Sequence, residues 1–585
     1  MIHFFNIFPP SLEASVKPKT FRLPVGQLPI YLYAIILFLA SLLVTGYAVY
    51  TQNQPLQIPL VYLLNNPSLY PNDPFVATLP RYASTLWYAV SWFSGVIPLE
   101  TLLLILFLFE RLLVIYAAGR LAEALLPNSR IAVVGAMATF ALAIHPILGA
   151  GTIIIDNFEQ TGFFIPFLLL ATAAFYNYQP LQCAIWLAIG FHLNIMYGTY
   201  AITYLGAVFL LDSNYRRAWK KWLPYIGIFL LLSSPAIYIT ISTLGRYALD
   251  NNLWLVATKL RFSHHLYLLV YSKQSLAKFG ILIILVLSVL HQNRNKMEKL
   301  FKHGTIWAGV SVLWLIYAFV AAYIVKSPTM LVMHPARATD LWYCFAGIAL
   351  VCACASQIEE GRGKAKQFLL AAVLGIGILM AHDLFKPYVL AVCLIPILWQ
   401  PGWYYFTGKN NSNRFALLIT GFVLFVGLTN FKTRLSNTQS IESALINRPA
   451  YSIEQIAEWA STNTKVDAVF LTDPIADLDW EQFRALAKRP VFVTWKDASA
   501  ILWDRSYIQA WAERINALGL DITEEGLTPN TAKSKLIGLY ENLQDEDVKQ
   551  LQSRFLINYW IVPANHNSKL AIAFQNQSYK VLVLK

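Results

Sequence analysis

The chain has 585 residues, of which 57% are hydrophobic, 14% aromatic and only 13% charged, about half the roughly 25% charged share of an average globular chain. That balance, with a mean hydropathy of +0.50, excludes a disordered chain, a nucleic-acid reader and an ordinary soluble multidomain enzyme. The net charge of +13 divides into +16 over the first 439 residues (30 basic, 14 acidic) and −3 over the remainder (15 basic, 18 acidic).

Residues 1–29 read as a polar cytoplasmic arm carrying Lys17, Lys19 and Arg22. The first apolar stretch after it lacks a small-residue cleavage site and reads as an uncleaved anchor. Stretches approaching the ~20 apolar residues that cross roughly 30 Å of hydrocarbon begin near Ile30, Pro98, Ile131, Gly162, Leu181, Thr199, Trp222, Leu276, Thr305, Asp340, Phe368, Tyr388 and Phe415. They predict about thirteen transmembrane helices over 30–435. The run from Leu181 to Leu211 is too long for one span, and Met196-Tyr197-Gly198 is the expected break. Basic residues favour cytoplasmic loops. Arg216, Arg217, Lys220, Lys221, Arg294, Lys296, Lys299, Lys302, Arg362, Lys364 and Lys366 therefore place the N-terminus inside and everything after about residue 430 outside. From 440 to 585 charge density returns to soluble values. Short apolar runs at Ala468–Leu471, Pro490–Val493, Tyr559–Val562 and Val581–Leu584 read as strands. Helical periodicity falls on Glu454–Ser461, Trp480–Lys488 and Ala500–Leu518. The fold class is an α-helical polytopic membrane protein with a C-terminal α/β extracytoplasmic domain and a largely parallel sheet. All five cysteines fall in apolar stretches, so no disulfide framework is implied.

Under this threading the polar residues collect on the outer side. The long first outer loop (51–97) holds one acid, Asp73, in Tyr70-Pro71-Asn72-Asp73-Pro74-Phe75. It suits a general base or metal ligand, and equally a turn cap before proline. Asp156 and Glu159 precede the fourth span. They fit helix capping, or a divalent cation (Mg or Mn) shared with Asp73. Arg261-Phe262-Ser263-His264-His265 suits a phosphate or pyrophosphate headgroup, because a guanidinium offers a planar fork and histidine both donates and accepts. An interfacial amphipathic stretch is the competing reading. His334 and Arg337 repeat the theme in the next outer loop, with Asp340 a structural partner at i, i+3. Glu110-Arg111 lie mid-span and need partners on other helices. His192 and Asn194 fit either an outer cavity or helix packing.

Many spans, an acidic long first outer loop, an acidic second outer loop and a C-terminal extracytoplasmic domain together resemble the GT-C glycosyltransferase superfamily. Tyr70–Phe75, Arg261–His265 and His334–Arg337 resemble blocks from bacterial, cyanobacterial-type GT-C-like membrane proteins. The resemblance implies transfer of a sugar from a polyprenyl-phosphate carrier at the outer leaflet of the bacterial inner membrane. It matches Asp73 to the first-loop acid, base or metal contact, and Asp156 and Glu159 to the second-loop acids. Arg261, His264, His265 and Arg337 would be carrier-phosphate contacts. The first loop has a lone acid where the superfamily commonly has a pair. The partners expected are membrane lipid and the lipid-linked donor, with no nucleic acid and the acceptor left open. Three alternatives stand beside it. They are a lipid or glycan flippase, a non-catalytic assembly protein, and a glycan polymerase or ligase that uses the Arg/His groups without Asp73.

Overall fold

The computed structural model describes residues 29–584 except 83, 144–146, 149–152, 245–249, 362–364, 380–410, 439 and 476–479. Helices dominate it. Six are long and apolar enough to cross a membrane: Leu99–Leu125, Trp219–Ser242, Lys273–Gln292, Glu298–Ile324, Pro328–Glu360 and Ser412–Thr438. Shorter apolar helices lie among them, including Ile30–Thr45, Arg130–Ala141, Gln160–Tyr176, Pro180–Leu193, Ile195–Leu211 and Ala365–Leu379. The chain is a multi-pass membrane protein.

Twelve of the thirteen expected spans fall on described helices, and the one near Tyr388 lies outside the described residues. Length separates helix from crossing. Arg130–Ala141 is wholly buried, yet its 12 residues rise only about 18 Å. The break in the Leu181–Leu211 run falls at Asn194 rather than at Met196–Gly198. Asn194 leaves helical geometry (φ −150°), and its side chain accepts from Tyr197 N at 3.2 Å, capping the next helix.

Among the described residues one strand pairing ties the C-terminal segment to the rest, and a second sheet lies within that segment. Strand β1 (Tyr47–Ala48), just after the first helix, runs parallel to β2 (Ile446–Asn447). The second sheet holds β3 (Val469–Leu471), β4 (Ile557–Pro563), β5 (Ile572–Gln575) and β6 (Tyr579–Val583) in the order β3-β4-β6-β5. Only β3 and β4 are parallel; β4–β6 and β6–β5 are antiparallel. The expectation of a largely parallel sheet is therefore corrected. β6 turns back from β5 through the short connection after Gln575, too short for a crossover helix, and lies antiparallel between β5 and β4. Val491 makes only an isolated bridge to Phe470.

The first loop is not a free excursion. It folds into helices Gln54–Asn65 and Leu86–Ser94 with a 3-10 turn at Val76–Arg81, and one hydrophobic core runs from it into the C-terminal segment. Phe75, Val76, Leu79 and Trp87 share that core with Val493, Trp495, Ile501 and Tyr507. Each such side chain contributes about 1.5–3 kcal/mol on burial, so the two regions hold each other in register. Trp254, on helix Asn251–Arg261, docks into the same core and donates from Nε1 to Ile501 O at 3.1 Å.

Candidate functional site

Where these regions meet, a cavity of about 730 Å³ remains, within the about 300–1,000 Å³ range of small-molecule sites. Its wall comes from the first loop, the starts of helices Gln160–Tyr176 and Ile195–Leu211, and helix Trp219–Leu244. The stretches 261–265, 332–337 and 496–505 complete it. Four cations line it, Arg261, Arg337, Lys496 and Arg505, together with His264, His265 and His334. No aspartate or glutamate is in the lining. Leu56, Leu60, Phe191, Met196, Ile237 and Ile241 give it an apolar side.

Each charged group is positioned by its element. Asp250 caps helix Asn251–Arg261 by accepting from Leu253 N at 2.9 Å, and Arg261 ends that helix, where a cation complements the dipole. Its guanidinium lies 5.1 Å from the Phe262 ring. The next turn, Ser263–Leu266, brings His264 within 4.1 Å of His265, which is 5.8 Å from His334, ring centre to ring centre. Burial, with Arg261, Lys533 and Arg337 nearby, lowers the His264 pKa to about 4. The imidazole is neutral at pH 7.

The 333–340 stretch is clamped by three buried tyrosines on one face of helix Ile195–Leu211. Tyr200 donates to His334 O at 2.8 Å and to Met333 O, Tyr204 to Ala338 O at 3.0 Å, and Tyr197 to Asp340. Arg337 lies over the Tyr197 ring at 5.4 Å. His334 is held at φ +44°, a left-handed conformation costing about 1–2 kcal/mol. Its Nδ1 and the Nε of Arg337 are buried without a hydrogen-bond partner among the described residues. Such strain and unmet polar groups concentrate at functional sites.

The structure thus brings Arg261, His264, His265, His334 and Arg337 onto one wall. The other sequence candidates lie off it. Asp73 is 2% exposed, and its carboxylate is engaged on both oxygens. Oδ2 accepts from Arg484 Nε (2.6 Å) and Val491 N (3.1 Å), and Oδ1 from Phe75 N (3.1 Å) and Val76 N (3.2 Å). Arg484 grips Asp497 with its other two nitrogens at 2.8 and 2.7 Å. Asp73 therefore joins the first loop to the segment that carries Lys496. Glu159 stands at the N-cap of helix Gln160–Tyr176 without capping it; it accepts instead from Asn53 N (3.0 Å) and Nδ2 (3.2 Å). Asp156 is partly buried. Burial raises its pKa, against the pull of its own backbone N–H, Arg111 and Arg434. His192 Nδ1 lies 3.0 Å from Thr85 Oγ1, and its Nε2 lies 2.8 Å from Leu232 O. Mid-span, Arg111 donates to Ile155 O.

Asp73 is engaged by Arg484 and Glu159 by Asn53, and among the described residues no three His, Cys, Asp or Glu form a metal-holding group.

Lys496 and Arg505 were not legible in the sequence as site residues, since nothing local distinguishes them from other surface cations. The tyrosine spacing 197, 200, 204 carries the helical signal that would have found the clamp.

Comparison with known proteins adds the following. A family model described as "Domain of unknown function (DUF6798)" matches residues 451–518, the stretch that supplies Arg484, Lys496, Asp497 and Arg505. No curated protein matches the chain. Among solved structures, it is similar to the arabinofuranosyltransferase AftD from mycobacteria, determined by single-particle cryo-EM, at 15% identity and a TM-score of 0.44. The alignment covers 94% of this chain and 36% of AftD, so the chain spans about a third of that protein's length.

Proposed function

We propose that the cavity receives the phosphate end of a polyprenyl-phosphate-linked sugar and that the chain is a membrane glycosyltransferase of GT-C type, working on the outer side of the membrane. The observation that carries this reading is the cationic cavity lining: four cations, of which Lys496 also pairs with Glu481 behind the wall at 2.7 Å, three histidines, no carboxylate in the lining, and an apolar side for a lipid chain. Cations in a low-dielectric pocket stabilise a departing phosphate far more than in water. In the proposed step an acceptor hydroxyl attacks the sugar's anomeric carbon and the carbon–oxygen bond to phosphate breaks. The electron pair leaves with the phosphate, beside Arg261, Arg337 and Lys496. The hydroxyl proton passes to a neutral imidazole, His264 or His334. This is the version of the reaction that does without Asp73 as base. A phosphate in the cavity favours the protonated imidazole and so raises its basicity as the reaction needs.

The test is transfer of a radiolabelled sugar from a lipid-linked donor by the protein in nanodiscs. Arg337→Gln should abolish transfer while Asp73→Asn keeps it in proportion to the folded fraction. Transfer surviving Arg337→Gln, or labelled donor merely crossing the bilayer without transfer, would overturn the assignment.

A further inference from the structure

We infer that the cavity contains a second, uncharged subsite built to bind a polyol, formed by Asn53, Gln57, Gln160 and Asn194 with Tyr82, and that Gln57 reads a sugar hydroxyl there. The inference rests on the transferase reading and says where the sugar sits within it.

The cavity wall is divided by chemistry. The cations and histidines come from 261–265, 334–337 and 496–505. The opposite stretches, 53–57, 82, 160–161 and 194, contribute amides and hydroxyls beside Leu56, and no charge. Primary amides carry both donors and acceptors, which matches a sugar hydroxyl and mismatches a phosphate. These amides are held in fixed orientations by groups behind them. Trp87 Nε1 donates to Gln160 Oε1 at 3.1 Å, which turns the Gln160 amide nitrogen toward the Tyr82 hydroxyl. Asn194 Nδ2 donates to Thr161 Oγ1 at 3.1 Å. Glu159 holds Asn53. The sequence candidate that lies off the cavity wall therefore orients one of its amides.

Gln57 is the exception. It is 4% exposed, its Nε2 donates to Tyr82 O–H at 3.1 Å, and its Oε1 is buried without a partner among the described residues. Turning the amide over would let Tyr82 O–H donate to Oε1 and leave Nε2 unmet instead; either way one head atom lacks a partner, and a sugar hydroxyl can serve it as donor or as acceptor. A buried amide oxygen with no partner is costly, and on a cavity wall it is an acceptor waiting for a donor.

The experiment compares farnesyl diphosphate with farnesyl diphosphate bearing glucose, galactose or N-acetylglucosamine on its outer phosphate, bound to the full chain in nanodiscs. Wild type should bind at least one sugar-bearing probe more tightly than the bare one. Gln57→Leu should lose about tenfold on that probe and leave the bare diphosphate unchanged. Tyr82→Phe, which keeps Gln57 Oε1, should lose less. An equal loss on both probes with Gln57→Leu, or no preference for sugar in wild type, overturns the subsite while leaving the phosphate site standing. A wild type that binds neither probe overturns the phosphate reading, and the subsite with it.

Discussion

Two charged clusters flank one core and are completed differently. In the Asp73–Arg484–Asp497 cluster both signs are present and every carboxylate oxygen is used. Asp497 takes two nitrogens of Arg484 and, in addition, Thr494 N at 2.9 Å and Thr494 Oγ1 at 2.8 Å. None of the three side chains has an unmet buried polar atom. The cavity lining carries cations and no carboxylate, with Glu481 paired to Lys496 at 2.7 Å and Asp340 beside Arg337 behind it, and it leaves His334 Nδ1, Arg337 Nε and Gln57 Oε1 unmet. A closed network stabilises a fold; an incomplete one whose lining is cationic awaits an anionic ligand. The two also differ in exposure: Asp73, Arg484 and Asp497 are buried, whereas Arg261, His265, Arg337, Lys496 and Arg505 are partly exposed and His264 is exposed.

The largest effect should fall on the closed cluster. Arg484→Leu strands two buried carboxylates, which costs about 3–5 kcal/mol, and denaturation in detergent should show it. A loss below about 1 kcal/mol, the value of an exposed pair, would erase the distinction. The open cluster should respond mainly in binding. Arg337→Gln should cut prenyl diphosphate affinity by about 10–100-fold, the equivalent of about 1.5–3 kcal/mol for a charge-assisted hydrogen bond, with a smaller loss of stability than Arg484→Leu, because it leaves one buried carboxylate, Asp340, without its neighbouring cation.

Acid should pull the two properties apart. His264 titrates near 4 in the free protein, below the ~6.5 of an unfolded histidine. The stability tied to its neutral form is present above about pH 6.5 and is lost as pH falls toward 4. A bound anion raises its pKa, so binding takes up a proton. Affinity should therefore strengthen as pH falls, by at most about tenfold per unit for one proton, and His264→Gln should flatten that dependence in a binding titration. The smallest effect concerns strain. His334→Gly removes a left-handed penalty of about 1–2 kcal/mol but adds chain entropy of roughly 0.5–1 kcal/mol, so melting should rise slightly.

Much of the helical layout was legible because apolar length is written along the chain. What composition does not carry is whether a twelve-residue helix such as Arg130–Ala141 lies buried inside the bundle without crossing the membrane. The sheet was misread because alternating strands and helices look alike whether the chain crosses over or turns back, and because β5, in the apolar run Leu570–Phe574, pairs antiparallel with its sequence neighbour β6. At the site, Arg261, His264, His265, His334 and Arg337 were found because local runs of Arg and His are rare in an apolar chain. Asp73 was conspicuous for a related reason. A lone acid in an aromatic loop stands out, but its partner is Arg484, 411 residues away, and local sequence does not show that. Lys496 reaches the cavity through the same long-range contact.

The most direct measurement is calorimetric titration of farnesyl diphosphate into the full chain in nanodiscs, with wild type, the Arg261→Gln/Arg337→Gln pair and Asp73→Asn run side by side. Binding by wild type, its loss in the arginine pair, and its retention by folded Asp73→Asn is the predicted result. Undiminished binding by the arginine pair would contradict the assignment of the cavity as the phosphate site.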